Sequence, residues 1–133
     1  MEIIVTLLIS MLSGLIATIV SVFYTHYRQK QEYKYNYKTK IFQELIAYRS
    51  DMTLNSNSTG VFQSALNQVF VAYNDCPKVL ENFERFRKSL SNKDCENVKI
   101  DNLLSLLKAM ANEVNIDCSF SNDSLFTAPI IIK

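Results

Sequence analysis

Between Ile3 and Tyr24 the chain carries no charged side chain and consists mostly of Ile, Leu, Val and Phe. As a helix rising 1.5 Å per residue, this stretch reaches about 33 Å, against a hydrocarbon core of roughly 30 Å. The pattern therefore predicts a transmembrane helix over residues 1–25. It is not uniformly apolar. Thr6, Ser10, Ser13, Gly14, Ala17, Thr18, Ser21 and Thr25 recur at helical spacing. At about 100° per residue they share a sector of roughly 140°. Leu8, Met11, Leu12, Leu15, Ile16, Ile19, Val22 and Phe23 take the other side. Such a stripe either packs one helix against another or lines something wet.

Residues 26–40 are polar and basic but contain neither Gly nor Pro, so the helix is expected to run on from the membrane. The alternation Glu32-Tyr33-Lys34-Tyr35-Asn36-Tyr37-Lys38 also fits a strand of period two. Helix is preferred, because an isolated strand here has no evident partner.

The domain expected over residues 41–133 reads as four amphipathic helical stretches. The first places Ile41, Phe42, Leu45, Ile46, Tyr48 and Met52 on one face, and the polar run Thr53–Gly60 ends it. The second covers about Val61–Asn74, with Phe62, Ala65, Leu66, Val69, Phe70 and Tyr73 inward and Ser58 or Thr59 as cap. Asp75-Cys76-Pro77 restarts the chain, since Pro fits a first helical turn. The third runs to about Leu90, with Val79, Leu80, Phe83, Phe86 and Leu90 inward and outer pairs Glu81–Arg85 and Glu84–Lys88. Ser91–Asn97 reads as loop, Ile100–Val114 as a strongly apolar helix, and the remainder as irregular, with Ile130–Ile132 exposed or docked after Pro129. The fold class is all-α: an N-terminal transmembrane helix followed by a small cytoplasmic helical bundle. A bundle this small is expected to gain stability by oligomerising.

Charge changes the picture in one respect. The formal net charge of +1 hides a basic segment, in which Arg28, Lys30, Lys34, Lys38, Lys40 and Arg49 face only Glu32 and Glu44. Positive residues near a span stay in the cytoplasm, which puts the N-terminus outside the bacterial inner (plasma) membrane and the bundle inside. Tyr24 and Tyr27 fall where an interfacial aromatic belt lies. With no basic residue before the apolar run and no small-x-small cleavage site, the segment reads as an uncleaved anchor. The basic residues set topology and attract anionic lipid, or else form collars in an oligomer that bind an anionic ligand at a pore mouth.

Candidate chemistry is sparse. Cys76, Cys95 and Cys118 are widely spaced, and the only histidine is His26. That excludes metal-ligand spacing and a Cys–His pairing, and neither Gly14 nor Gly60 belongs to a phosphate loop. Asp94 and Glu96 read as loop acids solvated beside Lys93 and Lys99. No enzyme and no cofactor are expected. Arg49 and Asn67 stand beside inward faces, either as a buried structural pair or as a pocket for an anionic ligand.

Three motifs carry a resemblance. Ile41-Phe42-Gln43-Glu44-Leu45-Ile46-Ala47-Tyr48-Arg49, then Ala65-Leu66-Asn67 within the second helix, then Leu103-Leu104 with Met110-Ala111, occur in this order. Together they resemble a family of small bacterial single-span membrane proteins with a helical domain of unknown function. They are similar to transmembrane effectors of anti-phage defence of the Hailong type. The resemblance implies a homo-oligomer that permeabilises the membrane when triggered. It also implies a partner of the nucleotidyltransferase type, or that partner's nucleotide or oligonucleotide product. Three functions follow as expectations: an ion-conducting pore lined by Thr6, Ser10, Ser13, Ala17 and Ser21; a membrane-tethered adaptor using the same stripe for dry packing; and a toxin that disorders lipid.

Overall fold

The computed structural model describes residues 1–49, 60–92 and 95–117, and among them the secondary structure is helical without strands. Four helices follow in chain order: α1 (Glu2–Ala47), α2 (Val61–Ala72), α3 (Pro77–Ser91) and α4 (Glu96–Glu113). The chain divides into two compact units, residues 1–35 and 36–133.

The first unit is a stretch of α1 whose side chains are all exposed. Its most apolar window has a mean hydropathy of 2.6 and no buried residue, so α1 is long and apolar enough to cross a membrane. The apolar stretch, the basic segment and the first amphipathic stretch form one continuous helix. The strand alternative for Glu32–Lys38 is thereby excluded. With neither Gly nor Pro between Thr25 and Ala47, nothing in the chain breaks the hydrogen-bond ladder.

The second unit holds the core. Ile41, Phe42 and Leu45 of α1 join Phe62, Ala65 and Val69 of α2, Val79, Phe83 and Phe86 of α3, and Leu103, Leu106, Leu107 and Met110 of α4. Each set recurs at three- and four-residue spacing, which gives every helix one buried stripe. Sequence expectation and structure differ in detail. Phe70 and Leu90 are exposed, whereas Ser89 is buried and bonds the Phe86 carbonyl at 2.7 Å. The residue before α2 is Gly60, in the left-handed region at φ 71°, without a side-chain cap. Ser58, Thr59 and Met52 lie outside the described residues, as do Lys93, Asp94, Cys118 and the Pro129–Ile132 segment. Helix α4 begins at Glu96, earlier than periodicity indicated, behind an extended Cys95.

The end of α4 is fixed by backbone geometry. Asn115 takes φ 53°, which lets Ile116 N–H reach the Ala111 carbonyl at 2.9 Å and Asn115 N–H the Asn112 carbonyl at 3.3 Å. This paired closure satisfies carbonyls that a helix terminus otherwise leaves open, and Ile116 packs on the core as the hydrophobic partner.

Candidate functional site

The small-residue stripe lies wholly in the first unit. The hydroxyls of Thr6, Ser10, Ser13, Thr18 and Thr25 turn back on their own helix. Thr6 donates to the Glu2 carbonyl at 2.8 Å, Ser10 to Leu7 at 2.9 Å and Ser13 to Ser10 at 2.9 Å. Thr18 donates to Gly14 and Thr25 to Ser21, each at 2.8 Å. In hydrocarbon an unpaired hydroxyl is costly, and these bonds remove most of that cost without water. The stripe is thus compatible with a dry seam, and its oxygens still carry lone pairs that can accept. Gly14 and Ala17 add no polar atom and allow close approach of a neighbour.

Beyond the apolar stretch, Arg28 pairs with Glu32 at 3.6 Å, both side chains about two-thirds exposed. Lys30 and Lys34 are exposed. Lys40 stands 4.0 Å from Glu44.

Lys38 departs from the lipid- or ligand-binding role read from the sequence. Its side chain is 12% exposed and its Nζ lies 2.7 Å from Asp75 Oδ1. It also donates to Cys76 Sγ at 3.1 Å and lies 5.6 Å from the centre of the Tyr73 ring. The Tyr73 hydroxyl donates to the Lys38 carbonyl at 2.9 Å. The single thiol proton of Cys76 has two carboxylates in reach, Glu113 Oε2 at 3.2 Å and Asp75 Oδ1 at 3.3 Å. One residue earlier, Tyr37 donates to Gln68 Oε1 at 3.1 Å, and Gln68 Nε2 donates to the Ser64 carbonyl at 3.3 Å. The clamp joins α1 to α2, to the α2–α3 turn and to the end of α4.

The electrostatics follow from this packing. Burial pulls the Lys38 ammonium toward the neutral form, but the bonds and charges of Asp75 and Cys76 outweigh it and raise its pKa. The Lys38 bond holds the Asp75 carboxyl below its usual range. Burial pushes the Cys76 thiol up to about 11, with Lys38 opposing and the two carboxylates adding. Burial likewise raises the Tyr73 phenol. A thiol held protonated is a poor nucleophile and a poor metal ligand, and the contacts of the cluster fasten α1 to the α2–α3 turn and the end of α4.

Arg49 and Asn67 do not form the buried pair. Arg49 donates to the Ile46 carbonyl at 2.6 Å, and Asn67 is exposed on α2. On α3 the Glu81–Arg85 pair forms, whereas Glu84 pairs with Arg87 at 3.1 Å in place of Lys88. The sequence reading missed Tyr37, Gln68, Tyr73, Asp75, Cys76 and Glu113 as a group. No metal-holding group of His, Cys, Asp and Glu occurs among the described residues.

Fold and site together define an all-α protein with, among the described residues, one helix long and apolar enough to cross a membrane and a helical unit fastened around a Lys–Asp–Cys cluster. The chain belongs to DUF6680, a family of unknown function, whose model matches residues 1–123. No curated protein matches it, and neither does any solved structure.

Proposed function

We propose that this protein is a homo-oligomeric transmembrane effector of bacterial anti-phage defence that opens an ion path across the inner membrane when triggered. The N-terminus lies outside and the helical bundle in the cytoplasm. The observation that carries the reading is the Ile3–Tyr24 stretch of α1: a charge-free, exposed helix with one face of small and hydroxyl-bearing residues. Copies meeting through that face put Thr6, Ser10, Ser13, Ala17 and Ser21 around an axis and leave Leu, Ile and Val to lipid. The defence role rests on the resemblance of the three cytoplasmic motifs. The bundle gathers the subunits, and a partner or its nucleotide product shifts the assembly by binding one state better than the other.

The inward-turned hydroxyls favour a second reading, a membrane-tethered adaptor whose helices pack dry. A potential-sensitive dye in cells expressing the chain separates the two. Depolarisation that Ser13→Leu and Ser21→Leu both abolish supports the pore. Depolarisation indifferent to both, in protein that still oligomerises, ends it. Oligomers without depolarisation under any trigger leave the adaptor.

A further inference from the structure

The continuity of α1 through residues 24–35 fixes which way each basic residue faces. At about 100° per residue, Arg28 and Glu32 fall within roughly 30° of the centre of the small-residue stripe. Lys30 falls about 170° from that centre, and His26 about 150°. The stripe side therefore continues beyond the span as a charge-compensated pair, Arg28–Glu32. The opposite side runs Leu12, Ile16, Ile19, Phe23, then Tyr27 and His26, then Lys30. All are exposed, and among the described residues Lys30 makes no ion pair.

We infer that Lys30, with His26 and Tyr27 one turn before it, forms a binding surface for the headgroups of anionic phospholipids on the lipid-facing side of the helix. The order along that face, apolar then aromatic then cationic, matches the profile of one leaflet from tails to headgroups. Height agrees. The Lys30 backbone lies about 9 Å beyond Tyr24. A headgroup layer adds about 5–7 Å beyond the hydrocarbon. Helical side chains lean toward the N-terminus, here toward the membrane, so the Lys30 stem carries its ammonium back into that layer. Phase also removes Lys30 from any collar around the stripe axis, leaving there only the neutralised Arg28–Glu32 pair. The inference rests on the membrane insertion in the proposal above and is independent of whether a pore forms.

The test uses the full chain in phosphatidylcholine vesicles doped with spin-labelled phosphatidylglycerol or spin-labelled phosphatidylcholine. The motionally restricted fraction of each label gives the relative association of the two lipids with the protein. The wild type should prefer phosphatidylglycerol. Lys30→Gln should lower that preference about fivefold, and Lys30→Arg should keep it. Replacing Arg28 and Glu32 together by Gln, which leaves net charge unchanged, should not alter it. Equal association of the two lipids with the wild type overturns the inference, as does a preference that survives Lys30→Gln. If neither label shows a restricted fraction, the chain is not embedded, and the membrane reading falls with it. A restricted fraction without preference overturns the headgroup surface alone.

Discussion

Tyr73 and Lys38 hold each other twice: the phenol donates to the Lys38 carbonyl at 2.9 Å, and the Lys38 ammonium lies 5.6 Å from the centre of the Tyr73 ring. One contact uses the backbone of α1 and the other its side chain, so together they fix both the position and the rotation of the helix at this turn. Tyr73 is fully buried, and Asp75 and Cys76, two and three residues further on, complete the seat for the same ammonium. The last turns of α1 are therefore held by polar geometry as well as by Ile41, Phe42 and Leu45.

Removing the Tyr73 hydroxyl alone should be mild. The Lys38 carbonyl still accepts its helical bond, so Tyr73→Phe should cost about 0.5–1.5 kcal/mol, the net worth of one hydrogen bond. Tyr73→Ala also empties a fully buried ring site and should cost about 3–5 kcal/mol. Thermal loss of helicity of the full chain in detergent micelles reads both. A Phe variant as damaged as the Ala variant would show that the hydroxyl matters far more than one bond.

Lys38 and Asp75 should be energetically coupled. Asp75 is about half exposed, which screens the pair, so a double-mutant cycle of Lys38→Ala and Asp75→Ala should give a coupling of about 1 kcal/mol. Lys38→Ala alone should cost more than Asp75→Ala alone, because the better-buried Lys38 also serves Cys76 and Tyr73. Strictly additive effects would mean that the 2.7 Å contact does not stabilise the fold.

Stability should fall at both ends of the pH scale. Asp75 has a depressed folded pKa, so its contribution is complete above the ordinary carboxylate pKa and vanishes as pH falls through the lower folded value. Burial in the folded chain pushes the Cys76 thiol from its ordinary value near 9 up to about 11. Between these values the unfolded chain gives up a proton that the folded one keeps, so stability drops as pH rises from 9 to 11. Lys38, raised above its ordinary value of 10.5, loses its contribution as pH climbs through the folded pKa. Melting temperatures of the full chain at pH 8 and pH 10 should differ, and Cys76→Ala should flatten that alkaline slope. A slope unchanged in this variant would assign it to other groups.

The helices were legible because each buries one stripe at helical spacing, and the run-on of α1 because residues 25–40 hold nothing that ends a helix. The clamp was not. Lys38 looked like one more member of a basic segment, since its charge invited a surface role. Its phase was the available signal. It stands three, four and seven residues before Ile41, Phe42 and Leu45, the three buried residues of α1, and so shares their face. Its partners come from the α2–α3 turn and the end of α4, separations over which spacing says nothing. Arg49 and Asn67 failed for the converse reason. Each neighbours a buried stripe, and the rotation of about 100° between successive helical residues is enough to put Asn67 in solvent.

Gly14 tests whether the stripe is a contact surface. An added Cβ there meets nothing within 4 Å, so in a single copy of the helix a larger side chain has room. Helix propensity then favours the change, by about 1 kcal/mol for Gly→Ala in an exposed helix interior. Where two copies close on their stripes, the same position is occupied by the neighbour, and close backbone approach is lost. Gly14→Leu should therefore keep full helicity and membrane insertion while lowering the oligomer fraction, read by cross-linking in micelles across a dilution series. Leu12→Phe, on the opposite face, should leave that fraction unchanged. If both variants weaken assembly equally, the helices do not meet through the stripe. If neither does, the subunits are held together outside the span, and the exposed face of α1 is free for lipid or water.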